Sequence, residues 1–263
     1  QPVEIVKLFW VIWLAYFFVK TDFRTAPVKM LIVSIGHLFG FVLLIVLQPD
    51  FGSAMLLVAT WGLLLLLLSY PKKYLAWLCV GLVLTFGVSW MLFFADYQKE
   101  RIQTFFNPQA DPLGSGYNVN QSIIAVGSGQ FWGRGIGEGT QSHLRFLPES
   151  QTDFIFAVIG EELGFVGLLI VMLAWFVIFW RMYSIGIRSD DNFSSVLIAG
   201  IMAWLFIQLV INIGMNVGLL PVTGIGLPLV SYGRSSLLTT FIALGIIMNI
   251  SRSTRDWTLS QVR

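Results

Sequence analysis

The chain is predicted to fold as an all-α, polytopic bundle of about seven membrane-spanning helices carrying one long extracytoplasmic loop. Three observations predict it. Of 263 residues, 56% are hydrophobic and only 11% are charged, whereas a soluble domain carries about 25% charged residues. The apolar residues gather in seven runs, each near the ~20 residues that cross a bilayer's hydrocarbon core. The basic residues of the short connections all fall on alternate loops, which is the signature of membrane topology. A net charge of +2 gives no ground for a nucleic-acid partner. The single cysteine, Cys79, lies inside an apolar run, so there is no disulfide framework to read.

The runs cover residues 3–19, 29–47, 53–70, 74–95, 154–180, 194–219 and 229–250. Each must be helical, because lipid offers no partner for an open backbone group. Tyr16, Tyr70, Trp90, Trp180 and Tyr183 stand near run ends, as interfacial aromatic belts do. Lys20, Arg24 and Lys29 lie in the first connection and Lys72 and Lys73 in the third. Arg181 and Arg188 lie in the fifth, and Arg252, Arg255 and Arg263 in the tail. These are placed in the cytoplasm by the positive-inside rule. The N-terminus, loop 48–52, the segment 96–153 and loop 220–228 then face outward. Gln1-Pro2 leads straight into a full-length apolar run without a signal-peptide pattern, and an outside start of that kind is expected where earlier spans precede it. No tandem repeat or low-complexity linker divides the chain, so residues 1–263 read as a single membrane domain.

The polar island 96–153 separates two apolar walls and holds six of the fourteen acidic and four of the sixteen basic residues. A loop of that length is far longer than a connection needs, and such loops are usually functional. Lys99, Arg101, Arg134 and Arg145 place four cations on a surface that otherwise needs none. They suit an anionic ligand at the membrane surface, with arginine fitted to bidentate phosphate contact, or they snorkel to lipid headgroups. Asn118, Asn120, Gln121 and Ser122 add neutral hydrogen-bonding groups. Residues 123–132 are apolar, too short to span, and read as re-entrant or interfacial. Glycines at 127, 129, 133, 135, 137 and 139 permit close backbone approach, in a cradle or in a flexible loop.

The island ends in LPESQTD, so that Glu149 and Asp153 stand at the threshold of the next apolar run. Asp153 reads as the N-cap of that helix and, compatibly with that, as a base, since a carboxylate partly withdrawn from water is the stronger proton acceptor. Glu161 and Glu162 lie two turns deeper, where one faces a cavity and the other needs a partner. In the first run Glu4 and Lys7 are three apart, share a helix face and read as an ion pair; Lys7 is also within reach of an anionic substrate. In QPDFG, Pro49 and Gly52 break the helix and display Asp50, as a cap of the third run or as part of a site. Asn212, Asn216 and the stretch 218–236 form the outer turn between the last two runs. Pro221, Gly224, Gly226 and Pro228 impose an irregular backbone there, tolerated at membrane depth only where it lines a cavity or is buried in protein. Arg234 adds a further candidate anion contact. No dedicated cation cage is visible.

These motifs together resemble the SEDS family of shape, elongation, division and sporulation proteins. The matching stretches are QPVEIVK (1–7), QPDFGSA (48–54), DPLGSGYNVNQSIIAVGSG (111–129), GTQS (139–142), LPESQTDFIFAVIGEELG (147–164) and NIGMNVGLLPVTGIGLPLVSYG (212–233). They cover nearly the whole chain, and DPLGSGY and GTQS are closer to the RodA branch than to FtsW. The resemblance implies a ten-span fold of which this chain begins at the fourth. It implies a peptidoglycan glycosyltransferase in the bacterial inner (plasma) membrane, with its active site on the extracytoplasmic side. That enzyme polymerises lipid II into undecaprenyl-linked glycan by an inverting displacement, beside a class B penicillin-binding protein, with Mg or Mn as a possible divalent helper. Asp153 takes the place of the family's catalytic aspartate. Lys99, Arg101, Gln121, Arg134, Arg145, Glu149 and Asp50 are then candidate substrate contacts, and Glu4, Lys7, Glu161, Glu162 and Arg234 supporting residues. Three positions depart from the family pattern: Val3 for Ser, Gln151 for His, and Arg234 for the second glycine of SYGGSS. A cation at 234 is expected to narrow the cavity. A lipid II flippase or a scaffold for a partner synthase are the alternatives; the first needs polar groups through the whole membrane depth, the second tolerates loss of Asp153.

Overall fold

The computed structural model describes residues 1–21, 26–92, 96–106, 115–143 and 146–261, less the side chains of residues 86, 96, 97, 100, 101, 115, 142, 143 and 254–261. Ten helices are described: α1 (Pro2–Lys20), α2 (Pro27–Val46), α3 (Phe51–Leu67), α4 (Lys72–Leu92), α5 (Asp96–Phe106), α6 (Ser115–Ser128), α7 (Thr140–His143), α8 (Ile155–Gly186), α9 (Asn192–Asn216) and α10 (Arg234–Gln261). Six of them, α1, α2, α4, α8, α9 and the first twenty residues of α10, are long and apolar enough to cross a membrane, and α3 is a shorter apolar helix of 17 residues. The seven predicted runs therefore each become a helix. The last starts at Arg234 rather than at residue 229, because the preceding backbone is irregular. The chain divides into two compact units, one of residues 1–68, 172–208 and 232–263, the other of residues 69–171 and 209–231.

In the first unit the helix starts follow from local chemistry. Proline opens α1 and α2, where a missing N–H costs nothing. Asp50 accepts from the Ser53 N–H at 3.0 Å and caps α3, so the capping role expected of it is present. The core of this unit is aromatic: Trp10, Trp61 and Trp204 are fully buried. A ladder of rings runs from Trp10 through Trp13 to Phe17 and across to His37 and Phe41 on α2.

Glu4 and Lys7 form the buried pair that their spacing predicts, Nζ to Oε1 at 2.7 Å. The other carboxylate oxygen, Glu4 Oε2, is buried without a hydrogen-bond partner, so Lys7 is what makes that charge tolerable. Lys7→Met is expected to cost about 3–5 kcal/mol, the range for orphaning one member of a buried pair. Changing Glu4→Leu and Lys7→Met together is expected to restore most of it. Thermal unfolding of the three proteins in nanodiscs checks this; a double variant as unstable as the single one would show that the pair is not the source.

At the other end of this unit Asp191 opens α9. Its carboxylate accepts from the Phe193 N–H at 3.2 Å and from the Ser194 N–H and hydroxyl, both at 3.1 Å. The Phe193 N–H first, then the Ser194 groups, hold its carboxyl below the usual carboxylate range. A depressed folded-state value means stability that is present above the ordinary aspartate range and lost as pH falls through the lowered one. Asp191→Ala is expected to cost about 0.5–1 kcal/mol at pH 7, the lower part of the cap range because the site is solvated. The difference from wild type is expected to shrink below about pH 4, measured by unfolding at pH 7 and pH 3.

In the second unit the polar island is not a sixty-residue irregular loop: it holds α5, α6 and α7. The segment 123–132, expected as a separate apolar piece, is the end of α6 and the turn after it. α6 begins among polar residues because its buried stripe is Val119, Ser122 and Ala125, at helical spacing. Helix α8 is interrupted at Gly164, whose φ of 65° and ψ of −161° suit a residue without a Cβ. The interruption opens two i→i−4 bonds, and loop 129–135 takes all four groups. The Arg134 N–H donates to the Glu161 carbonyl at 2.9 Å and the Gly135 N–H to that of Glu162 at 3.0 Å. The Phe165 N–H donates to Gln130 O at 2.9 Å and the Val166 N–H to Phe131 O at 3.2 Å. A Cβ at Gly129 would collide with the Gly160 carbonyl, and one at Gly133 with that of Glu162. Two of the island's glycines thus serve close approach, as a cradle for a broken helix. Gly127, by contrast, faces open space.

Candidate active site

The second unit gathers a set of buried polar side chains around the turn that precedes α8. Leu147 anchors that turn in an apolar cluster with Ala125, Phe154 and Ala157. Glu149 then adopts a positive φ of 51°, and its carbonyl accepts the N–H groups of Thr152, Asp153 and Phe154 at 3.1–3.2 Å. Its carboxylate accepts from the Thr152 hydroxyl at 2.9 Å. The turn is closed on itself and projects Asp153 at the entrance of α8, where Asp153 is half-buried.

The main chain of this turn is held from α9 and from the outer turn after it. Asn212 and Asn216, one helical turn apart and both fully buried, each donate an amide N–H to the Asp153 carbonyl, at 2.9 and 3.1 Å. Asn212 also donates to the Ile225 carbonyl at 2.8 Å, which fixes the outer turn to the same point. Ser231 receives the Leu227 N–H and donates to the Thr152 carbonyl, both at 2.5 Å. Gly224, at φ 75°, brings the outer turn against the acid: a Cβ built there would lie 3.6 Å from Asp153 Oδ2.

Asn216 also settles how α8 starts. The Val158 N–H donates to the Phe154 carbonyl at 3.1 Å, so Phe154 occupies the N-cap position and Asp153 the one before it. Phenylalanine has no oxygen to cap with. Asn216 Oδ1 instead accepts the Ala157 N–H at 3.1 Å, the bond that a local serine or aspartate would have made. It also receives the buried Ser122 hydroxyl at 3.3 Å, which donates to the Asn216 carbonyl at 2.8 Å as well. The expectation that Asp153 is the N-cap is therefore corrected by one residue: the cap comes from another helix.

Two turns further along, Glu161 is fully buried. Its Oε1 accepts from the Gln141 N–H at 2.9 Å and the Thr140 hydroxyl at 3.4 Å. Arg134 donates to Thr140 Oγ1 at 3.2 Å and to the Ser128 carbonyl at 3.4 Å. Glu161 thus ties the GTQS stretch to α8, while Glu162 beside it is only half-buried.

Of the other predicted contacts, Gln121 is half-buried on α6, Lys99 half-buried on α5, and Glu149 and Arg134 are exposed. Arg101 lies on α5 with its side chain outside the described residues, and Arg145 lies outside them altogether. Glu4, Lys7, Asp50 and Arg234 belong to the first unit, where Arg234 is the exposed first residue of α10. Asn212, Asn216, Ser122 and Ser231 are the residues to which sequence reasoning gave no role at the acid; an Asn pair at i, i+4 inside an apolar run was the available signal. Among the described residues there is no group of three or more His, Cys, Asp or Glu that could hold a metal ion.

The family model for FtsW, RodA and SpoVE cell cycle proteins matches residues 1–256. The peptidoglycan glycosyltransferase MrdB of Escherichia coli K12 is 42% identical over 251 residues, which are 95% of this chain and 67% of that protein. Stage V sporulation protein E of Bacillus subtilis is 38% identical over 260 residues, 97% of this chain and 69% of the relative. Among solved structures, a peptidoglycan synthase complex that coordinates polymerization and crosslinking contains a chain with a TM-score of 0.74 and 29% identity, covering 97% of this chain and 70% of that one. The crystal structure of Thermus thermophilus RodA superposes with a TM-score of 0.62 at 24% identity, over 97% of this chain and 66% of that one, and so speaks to the fold. The chain thus spans about two thirds of the length of its relatives. With nearly every residue matched and both a curated relative and a solved fold in agreement, the chain belongs to the FtsW/RodA/SpoVE family of cell cycle proteins.

Proposed function

We propose that this chain carries the catalytic membrane domain of a peptidoglycan glycosyltransferase that polymerises lipid II, with Asp153 as its base. The observation that carries the assignment is the way the acid is held. Three buried side chains, Asn212, Asn216 and Ser231, bond to the main chain of residues 152 and 153. The helix cap is supplied from elsewhere. Main-chain support that pre-positions an acid is what general-base catalysis requires.

In this reading Asp153 takes the proton from the 4-hydroxyl of the acceptor N-acetylglucosamine. That oxygen forms a bond to the anomeric carbon of the donor, the bond from that carbon to the pyrophosphate oxygen breaks, and undecaprenyl pyrophosphate departs with the electron pair. One displacement inverts the α-linked donor to a β-1,4 linkage, so one base suffices. The developing charge on the leaving pyrophosphate needs cations, for which Lys99, Arg101, Arg134 and Arg145 are the candidates. The reaction takes place on the extracytoplasmic face, and a class B penicillin-binding protein supplies the crosslinking partner.

The test is glycan formation from labelled lipid II by the purified full-length protein, with and without the partner synthase. Polymer supports the reading. A protein that forms no polymer in either condition but equilibrates labelled lipid II across proteoliposomes would replace it with transport.

A further inference from the structure

We propose that the loop of residues 130–136 is a lipid seat, its ring surface lying at the acyl–headgroup boundary of the leaflet on the Asp153 side. The depth of this loop can be read from α8. The helix is uncharged from residue 163 to residue 180, bounded by Glu162 and by Trp180-Arg181. Counting the ~20 residues of a hydrocarbon core back from Arg181 reaches Glu161, so the membrane boundary coincides with the break at Gly164. Loop 130–135 is hydrogen-bonded into that break by four backbone bonds to residues 161, 162, 165 and 166, and so lies at the same depth.

The side chains it shows there are apolar and outward. Trp132 is 78% exposed, Ile136 80%, Phe131 54%, and Phe165, stacked on Phe131 at 5.7 Å, 52%. A patch of this kind on a water-facing surface would be a liability. At the boundary it is an aromatic belt, since a Trp ring favours the headgroup level. Its occupant is lipid rather than protein because the patch continues onto the apolar stretch of α8 that follows Phe165, where Leu169 and Ile170 are exposed. The weld to the broken helix also pairs the Arg134 and Gly135 N–H groups and the Gln130 and Phe131 carbonyls, which lowers the cost of backbone near lipid. The seat does not depend on which residue is the base, and it fixes how far above the acyl chains the α8 entrance stands.

Nitroxide labels test it. In a Cys79→Ser background, single cysteines replace Trp132, Ile136, Ile170 (lipid-facing control) and Glu138 (control on the same loop, outside the patch). The full-length protein alone is placed in nanodiscs of phosphatidylglycerol and phosphatidylethanolamine. Accessibility to oxygen and to a water-soluble nickel chelate is then compared. Labels at 132 and 136 are expected to be several-fold richer in oxygen relative to nickel than the label at 138, and to resemble the one at 170. Two positions guard against one label perturbing the loop. Labels at 132 and 136 as open to nickel as that at 138 would overturn the seat, and so would shielding that arises only when the partner synthase is added. Because the readout is depth and not activity, its failure is separate from failure of the glycosyltransferase reading.

Discussion

Asp153→Asn is expected to lower lipid II polymerisation by ~10²–10⁴-fold, the contribution of a positioned general base, with lipid II binding and protein stability close to wild type. The substitution is informative because backbone groups of residue 153 hold the turn's main chain in place. The Asp153 N–H donates to Glu149 O, and its carbonyl receives Asn212 and Asn216. All three bonds survive in asparagine, which matches aspartate in shape and lacks only the charge and basicity. Asp153→Glu is the companion. Its carboxylate is one methylene longer on a turn packed against Gly224, and a displacement of about 1 Å is expected to cost ~10²-fold. Single-turnover polymerisation at saturating lipid II gives the rate, and a binding titration gives the affinity. An asparagine variant that polymerises at the wild-type rate would remove Asp153 from the chemistry, whatever the fold.

The seven apolar runs were legible because hydropathy is a per-residue property and lipid leaves the backbone a single solution. What was not legible is what depends on partners far away in sequence. Gly164 looks like any glycine in an apolar helix; only loop 129–135, thirty residues earlier, makes it a break. Ser122 reads as a polar loop residue until Asn216 is seen beside it, and with it the start of α6 moves eight residues into the island. The acid at 153 stood out in the sequence as a charge at a helix threshold, yet the same sequence also allowed a local-cap reading. That alternative fails because the cap for Ala157 N–H arrives from residue 216, a bond no spacing rule anticipates. The ion pair of Glu4 and Lys7 and the cap by Asp50 were predictable for the opposite reason: both are contacts three residues apart, which helix geometry alone determines.

Asn216→Leu is the second large effect expected. The side chain carries more of the site than any other described residue: it donates to the Asp153 and Asn212 carbonyls and accepts from Ala157 N–H and Ser122 Oγ. Leucine keeps the branching at Cγ but is larger, and it removes all of these bonds. The Asp153 carbonyl keeps its bond from Asn212, but the Ala157 N–H is left buried without an acceptor, so the cost is expected to be ~2–4 kcal/mol, above the range for a single orphaned group. Loss of stability alone would not distinguish a support of the acid from a support of the fold. Trp61→Leu supplies the comparison, since Trp61 is a buried core residue of the first unit whose truncation is expected to cost a similar ~2–4 kcal/mol. Both variants are assayed well below their unfolding midpoints. Asn216→Leu is expected to lose ~10²-fold in kcat at little-changed KM, the signature of a displaced base, while Trp61→Leu keeps its rate. Equal rates in the two variants at matched stability would make Asn216 a structural residue and nothing more. A rate loss confined to Asn216→Leu, with no effect of Asp153→Asn, would show that the Asn pair orients some group other than the carboxylate at 153.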